Sequence, residues 1–301
     1  MAAKNITYTN NVGDKKTIVI KSPLGEGASG IVYKALLDGF GVVALKIIRL
    51  NKSTQKLVEN DLKIRNQFGE SEDPHFILVR RVILHESMRE SKLAMNYPDL
   101  VGFSPDIDTF SVGCIYKCAD SVDLFEMISI SDDRYPDNLL GIFFTQLCVG
   151  LKILHDKQIA HRDIKPENIM MDEGFLKYID FGFACIKDEC FGDSNLGTPM
   201  YSSPDLAKHI SPLEFVSFLK RDIYALGITF YVIITRDNFP VNYKKLASIE
   251  NDRLLSISYK NIVDRNIPEK WRKLVLNMIN PVENERYNID QCIEEIEKIF
   301  M

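Results

Sequence analysis

The chain has 301 residues, of which 46% are hydrophobic and 26% charged, with a formal net charge of -5. That length holds one two-lobed domain or two small ones with a sizeable core, and the acidic balance argues against a general binder of nucleic acid or anionic lipid. Met1 to Lys16 is too polar for a secretory signal, and the longest apolar stretch, Ile223 to Ile234, is too short to span a bilayer and reads as a buried helix.

Residues 1–15 are expected to form a polar tail. A strand follows at Thr17-Ile18-Val19-Ile20, then a glycine-rich turn and a second strand at Ile31-Val32-Tyr33-Lys34-Ala35. Asp38-Gly39-Phe40-Gly41 signals a hairpin into a third strand, Val42 to Ile48. Ser53-Thr54 starts a helix that runs to about Phe68, and Ile77 to Leu84 is the next strand. His85 to Thr109 is polar, with Pro98 and Pro105, and its length predicts an insertion or a mobile excursion. Ser111 to Tyr116 reads as strand. Beyond Asp123 the chain is mainly helical, with periodicity at Leu139–Lys157, Phe215–Ile234, Trp271–Ile279 and Ile289–Phe300. The six cysteines (Cys114, Cys118, Cys148, Cys185, Cys190, Cys292) form no C-x-x-C pair. Their spread predicts reduced thiols in an intracellular protein rather than disulfides or a zinc site.

Leu24 to Val32 carries the pattern G-x-G-x-x-G-x-V. Its glycines would let backbone amides approach phosphate oxygens with no Cβ in the way. The same spacing opens dinucleotide-binding folds, but there it leads from a strand into a helix. Here the next residues alternate as a strand. Lys46 ends Val43-Ala44-Leu45-Lys46, and a lysine in an apolar strand is costly unless its ammonium meets an anion. There is no G-x-x-x-x-G-K-[ST] to support a P-loop. His161-Arg162-Asp163-Ile164-Lys165-Pro166-Glu167-Asn168, followed by Asp180-Phe181-Gly182, supplies two acids, a lysine and an amide. Phosphoryl transfer from a metal-bound nucleotide calls for such a set, because its catalysis is mostly positioning and charge neutralisation.

The eight-residue run resembles the catalytic loop of the eukaryotic protein-kinase family, and Asp180-Phe181-Gly182 its metal-binding turn. The resemblance extends from about Ile18 to Phe300. It implies an α+β, two-lobed fold, with a small antiparallel-sheet N-lobe (about 16–117) and a larger helical C-lobe (about 121–301). It implies Asp163 and Lys165 as catalytic residues, and Asn168 and Asp180 as ligands of Mg²⁺ or Mn²⁺. ATP would meet Leu24, Gly25, Gly27, Gly30, Val32, Ala44 and Lys46, the backbone of Lys117 and Ala119, and Asp123 at the ribose. Tyr116 would guard the back of that pocket. Either Glu59 or Asp61 would be the helix acid that pairs with Lys46.

Gly197-Thr198-Pro199 resembles the family's substrate-docking loop, and Ser203-Pro204-Asp205 its closing motif, with Arg286 as the partner of Asp205. Asp222 would brace the catalytic loop. Lys165 and the Gly-Thr-Pro loop match the serine/threonine branch, so the expected partner is a protein bearing serine or threonine acceptors. No nucleic acid, no membrane and a monomeric state are expected. Ser194 stands where the resemblance puts an activating phosphate that would pair with Arg162, although Asp193 could serve as a permanent substitute. A scaffold that binds nucleotide without transferring phosphate is the alternative, favoured only by the uncertain helix acid.

Overall fold

Alternating apolar residues build the first half of the chain into a sheet, in a computed structural model that describes residues 5–27, 30–69, 73–120, 122–130, 133–190, 197–207, 215–239, 249–265 and 267–300. The chain divides into two compact units, residues 1–73, 77–120 and 180–182 in the first, and 74–76, 121–179 and 183–301 in the second.

The first unit holds β1 (Asn5–Thr9), β2 (Lys15–Gly27), β3 (Gly30–Leu37), β4 (Gly41–Arg49), β5 (Arg81–His85), β6 (Val101–Ser104) and β7 (Ser111–Lys117). They lie in the order β1-β2-β3-β4-β7-β5-β6, and the edge strands β1 and β6 meet at one pair, Thr9 with Phe103. All neighbours run antiparallel except β5 and β6, where Val82 pairs in parallel with Val101. The sheet is therefore not purely antiparallel as expected. The chain leaves β5 through a short 3-10 turn and α2 (Lys92–Asn96), a crossover that returns it in the same direction.

Period-two alternation sends Ile6, Tyr8, Ile18, Val43, Leu45, Ile83 and Ile115 to one face of this sheet. Val82, Leu84, Val112 and Cys114 go to the other, where they pack with Val58 and Leu62 of α1 (Lys52–Phe68) and Leu93 of α2. Each such side chain contributes about 1.5–3 kcal/mol when fully buried. Helix α1 starts one residue before the expected signal. Asn51 Oδ1 accepts the amides of Ser53 (2.9 Å) and Thr54 (3.0 Å), and Thr54 Oγ1 accepts the Asn51 amide in return.

The supposed polar tail contains β1, whose Ile6 and Tyr8 are buried; five residues with only two inward apolar positions give too short a pattern to read. The supposed mobile stretch from His85 to Thr109 contains the 3-10 turn, α2 and β6. Leu93, Ala94, Tyr97 and Val101 pin it to the core, although the surrounding charges and prolines mask them in the sequence.

The second unit is mainly helical: α3 (Leu124–Ile130), α4 (Asp137–Asp156), α5 (Pro204–Ala207), α6 (Phe215–Thr235), α7 (Asn251–Asp264), α8 (Glu269–Met278) and α9 (Ile289–Phe300). Short strands β8 (Ile159–Ala160), β9 (Ile169–Asp172), β10 (Phe175–Tyr178) and β11 (Cys185–Ile186) make two antiparallel pairs, the hairpin of β9 with β10 and the longer-range pair of β8 with β11. By length and composition α4 alone, among the described residues, could cross a membrane, but 56% of its apolar window is buried inside the unit. It packs against α9 and β10, and its Phe144 stacks on Phe230 of α6 with Trp271 edge-on. Ile223 to Ile234 is the buried core segment of α6.

Cys185 and Cys190 form a disulfide, against the expectation of six reduced thiols. The chain leaves β11 into a 3-10 turn at Lys187–Glu189 that folds back, bringing the two Cα atoms within 5.3 Å. A spacing of five residues is not a C-x-x-C pattern, so the pair has no motif that announces it.

Candidate active site

In the first unit, the glycine-rich segment is the strand turn from β2 into β3. Gly25 pairs with Val32 and Gly27 with Gly30, while Ala28 and Ser29 lie outside the described residues. Leu24 is half-exposed, and Gly25 and Gly27 have open space where a Cβ would stand. Gly30 has a φ of 154°, and a Cβ there would come within 2.2 Å of the Ile47 carbonyl oxygen, so only glycine fits. Register places Val32 opposite Lys46, Lys46 opposite Cys114 and Ala44 opposite Tyr116, so these side chains share one sheet face. Lys117 pairs with Val43 at the end of β7, and Ala119 follows in the exit segment.

Lys46 Nζ lies 2.9 Å from Asp180 Oδ2. Burial pulls the Lys46 ammonium down, but the Asp180 and Asp61 carboxylates outweigh it and hold its pKa above the usual lysine value. Of the two helix acids, Glu59 accepts from Gln55 Nε2 on its own helix, whereas Asp61 is buried. Asp61 Oδ1 accepts the Phe181 amide at 3.0 Å and Oδ2 the Tyr116 hydroxyl at 2.9 Å. The neighbouring Asn60 donates its Nδ2 to the Gly182 carbonyl at 2.7 Å. Asp180 itself sits at a φ of 59°, in the left-handed region that non-glycine residues seldom adopt.

In the second unit, Asp163 is a hub. Its Oδ1 accepts the Thr198 amide (2.9 Å) and hydroxyl (2.8 Å); its Oδ2 accepts Asn168 Nδ2 (2.8 Å) and faces Lys165 Nζ at 2.9 Å. Lys165 Nζ also donates to Thr198 Oγ1 at 2.6 Å. Gly197, at a φ of 100°, lets this loop approach, since a Cβ would stand 2.5 Å from the Arg162 carbonyl oxygen. The loop backbone is held from beneath by Asp222, which is 1% exposed and accepts the amides of His161 and Arg162, both at 2.8 Å. Arg162, at a φ of 65°, donates Nε to the Phe183 carbonyl. Asp123 caps α3, its Oδ1 accepting the Glu126 amide at 2.8 Å. Ser194 and Asp193 lie outside the described residues.

A protein kinase domain model matches residues 18–296. The chain belongs to the protein kinase domain family. Among similar curated proteins, the serine/threonine-protein kinase SRK2J of Arabidopsis thaliana is 30% identical over 257 residues, covering 81% of this chain and 69% of that one. Serine/threonine-protein kinase PSK2 of Saccharomyces cerevisiae is 30% identical over 203 residues, 66% of this chain but 17% of that protein. The human serine/threonine-protein kinase D3 is 29% identical over 184 residues, 57% of this chain and 19% of its own length. The chain thus spans under a fifth of two of these relatives.

The kinase domain binds its closing-motif acid more tightly than a single pair would. Asp205 Oδ1 meets Arg286 Nη2 and Oδ2 meets Arg221 Nε, each at 2.8 Å. Burial raises the Asp205 pKa, but the two guanidiniums more than reverse that and leave it below the usual carboxylate range. Arg221 supplies a second arm that compensates for the shorter aspartate. Sequence reasoning missed Arg221 in this role, as it missed Asn60 and the Tyr116–Asp61 bond; the last two contacts join elements far apart in sequence.

Burial and the nearby Asp180 charge push the Asp61 carboxyl of the kinase domain up to about 7, against the pull of Lys46. A carboxyl with a folded pKa above its unfolded value costs stability progressively as pH rises from about 4 to about 7. Asp61→Asn, which carries no charge, should therefore gain on the wild type across that interval, by about 2–4 kcal/mol at the plateau. Thermal midpoints of the two proteins between pH 5 and 8 check this; a gap independent of pH would refute it.

Proposed function

We propose that this kinase domain transfers the γ-phosphoryl group of ATP to serine or threonine hydroxyls of protein substrates, supported by Mg²⁺ or Mn²⁺. The observation that carries the reading is the fourfold hold on the Asp163 carboxylate by Lys165, Asn168 and Thr198. The domain is read as two-lobed, a sheet lobe of about 16–117 and a helical lobe of about 121–301.

Among the described residues no group of three His, Cys, Asp or Glu side chains could hold a metal. That suits a hard cation which keeps water and phosphate oxygens and takes only one or two protein ligands. Asn168, whose Nδ2 is turned to Asp163, would offer its Oδ1, and Asp180 its carboxylate. When bound, such a cation would neutralise phosphate charge.

In this reading Asp163 orients the acceptor hydroxyl and takes its proton, with Asn168 and Thr198 fixing the rotamer of its carboxylate. Lys165 sets positive charge beside the transferring group, and its bond to Thr198 keeps it there. Lys46 meets the nucleotide phosphates, and the glycine turn of β2 and β3 closes over them with backbone amides. The chain's open glycines at 25 and 27 leave room for that approach. Lys117, Ala119, Ala44, Val32 and Leu24 would receive the base, and Asp123 the ribose, with the cap on α3 fixing its carboxylate.

Incubation with labelled ATP, Mg²⁺ and a basic acceptor protein should yield phosphoserine or phosphothreonine. Transfer no greater than that of Asp163→Asn would overturn the proposal in favour of a nucleotide-binding scaffold. Lys46→Met should reduce turnover by roughly 10²-fold or more, since it removes a cation aimed at the phosphates. It should also lower the thermal midpoint, because Asp180 and Asp61 then share a buried region without a cation, at a cost of about 1–3 kcal/mol. An unchanged rate in Lys46→Met would mean another lysine meets the phosphates.

A further inference from the structure

The acid of α1 in this chain does something other than pair with the strand lysine. Lys46 is already met by Asp180 at 2.9 Å, and both oxygens of Asp61 are taken up by the Phe181 amide and the Tyr116 hydroxyl. The preceding residue on the same helix, Asn60, reaches the next peptide group, donating to the Gly182 carbonyl at 2.7 Å. Two consecutive side chains thus grip two consecutive residues of the turn that carries Asp180.

We infer that Asn60, Asp61 and the hydroxyl of Tyr116 are positioning residues that hold Asp180 against Lys46 by fixing the Phe181 and Gly182 backbone.

Asp180 adopts a left-handed φ of 59°, a conformation that persists only where its surroundings enforce it. One enforcing contact is local, the Gly182 amide donating to Asp180 Oδ1 at 3.3 Å. Two others come from α1. Asn60 and Asp61 are 7% and 4% exposed, so their polar atoms have little access to water and are committed to these partners. Leu57, one turn earlier on the helix, closes the space over Gly182: a Cβ on that glycine would stand 3.1 Å from the Leu57 Cβ. A side chain there would push the turn a few tenths of an ångström off α1.

Tyr116 adds a link that neither the helix nor the turn could make. It stands on β7 opposite Ala44, on the same sheet face as Lys46, and its hydroxyl bonds the Asp61 oxygen not used by Phe181. A carboxylate bonded at both oxygens cannot rotate, so Tyr116 fixes the direction from which Asp61 receives the Phe181 amide. The tyrosine expected to wall the base side of the pocket is thereby tied to the residue expected to ligate metal. This inference rests on the reading of Asp180 as a metal ligand.

The test uses Tyr116→Phe, which deletes one oxygen and keeps the ring, and Asn60→Leu, which keeps the shape and removes the donor. Hydrogen exchange of the Phe181 and Gly182 amides in the nucleotide-free chain should speed up roughly 3- to 10-fold in both variants. The Mg²⁺ concentration needed for half-maximal ADP binding should rise by a similar factor, and by more than any change in ADP affinity measured without Mg²⁺. A merely structural loss would lower both affinities together with the thermal midpoint. Wild-type exchange and wild-type Mg²⁺ dependence in Tyr116→Phe would overturn the inference, whatever Asn60→Leu does. The exchange measurement needs no ligand, so it stands apart from the kinase reading. Mg²⁺-independent ADP binding by the wild type would sink that reading and leave the grip itself to be judged by exchange alone.

Discussion

Asp163→Asn is expected to lower kcat of phosphoryl transfer by roughly 10²- to 10⁴-fold while leaving nucleotide affinity close to wild type. The Asp163 carboxylate accepts four times: from the Thr198 amide and hydroxyl on one oxygen, and from Asn168 and Lys165 on the other. An asparagine amide can satisfy only one of those pairs, because its nitrogen would point a donor at two donors. The substitution thus removes the base and also breaks the orientation of whichever partner it faces. Single-turnover rates and ADP affinity, measured side by side, separate these effects. Loss of nucleotide binding in parallel with kcat would show that Asp163 acts through the fold instead.

Arg286→Ala should cost about 3–5 kcal/mol of stability, a fall of roughly 6–15 °C in thermal midpoint. Arg286 is 1% exposed and every arm of its guanidinium is used: Nη2 on Asp205, Nε on the Asn280 carbonyl and Nη1 on the Lys220 carbonyl, with the plane 5.1 Å from the Tyr224 ring. Its removal leaves Asp205 with Arg221 alone and takes a donor from two part-buried carbonyls. The Asp205 pKa is depressed, so its contribution is present above the unfolded value and lost as pH falls through the folded one. The difference between variant and wild type should accordingly narrow in acid. Thermal unfolding at neutral and acidic pH checks both parts; a neutral-pH shift under about 2 °C would mean the two-arginine arrangement does not hold the acid.

The strongly periodic segments were legible from the sequence. β3, β4, β7, α4, α6 and α9 all lie within a residue or two of where the alternation or helical spacing put them. Those are elements with a long apolar pattern on one face. β1 and α2 were illegible for the opposite reason: each offers two inward side chains in five residues, which no window can separate from chance. Helix α7 lies in the stretch expected to be mainly helical, but no periodic segment was read there. At the candidate site, contiguous motifs offered the residue set, and Asp222 and Arg286 were read as partners, while the contacts of α1 were not. Which acid of α1 is buried depends on the rotation of that helix against the sheet, and Glu59 and Asp61 differ by two positions. Only tertiary packing selects Asp61, and only the nearness of Tyr116 and the Phe181 amide shows what it binds.

The first strand changes how the chain can be cut. A fragment begun at Lys16, where the residue pattern first looks like a domain, would lack Ile6 and Tyr8, which are 1% and 2% exposed. It would also strip two seams at once, the ladder from Asn5–Val19 to Thr9–Lys15 on β2 and the Thr9–Phe103 contact with β6. Both newly bared strands would present unpaired amides and carbonyls to other chains, the usual starting point for edge-to-edge aggregation. The Ser104 hydroxyl, which donates to the Thr7 carbonyl at 2.5 Å, would lose its acceptor as well. A trimmed kinase domain that precipitates would then be reporting a missing strand, and restoring eleven residues from Asn5 to Lys15 would be the remedy to try before altering the surface.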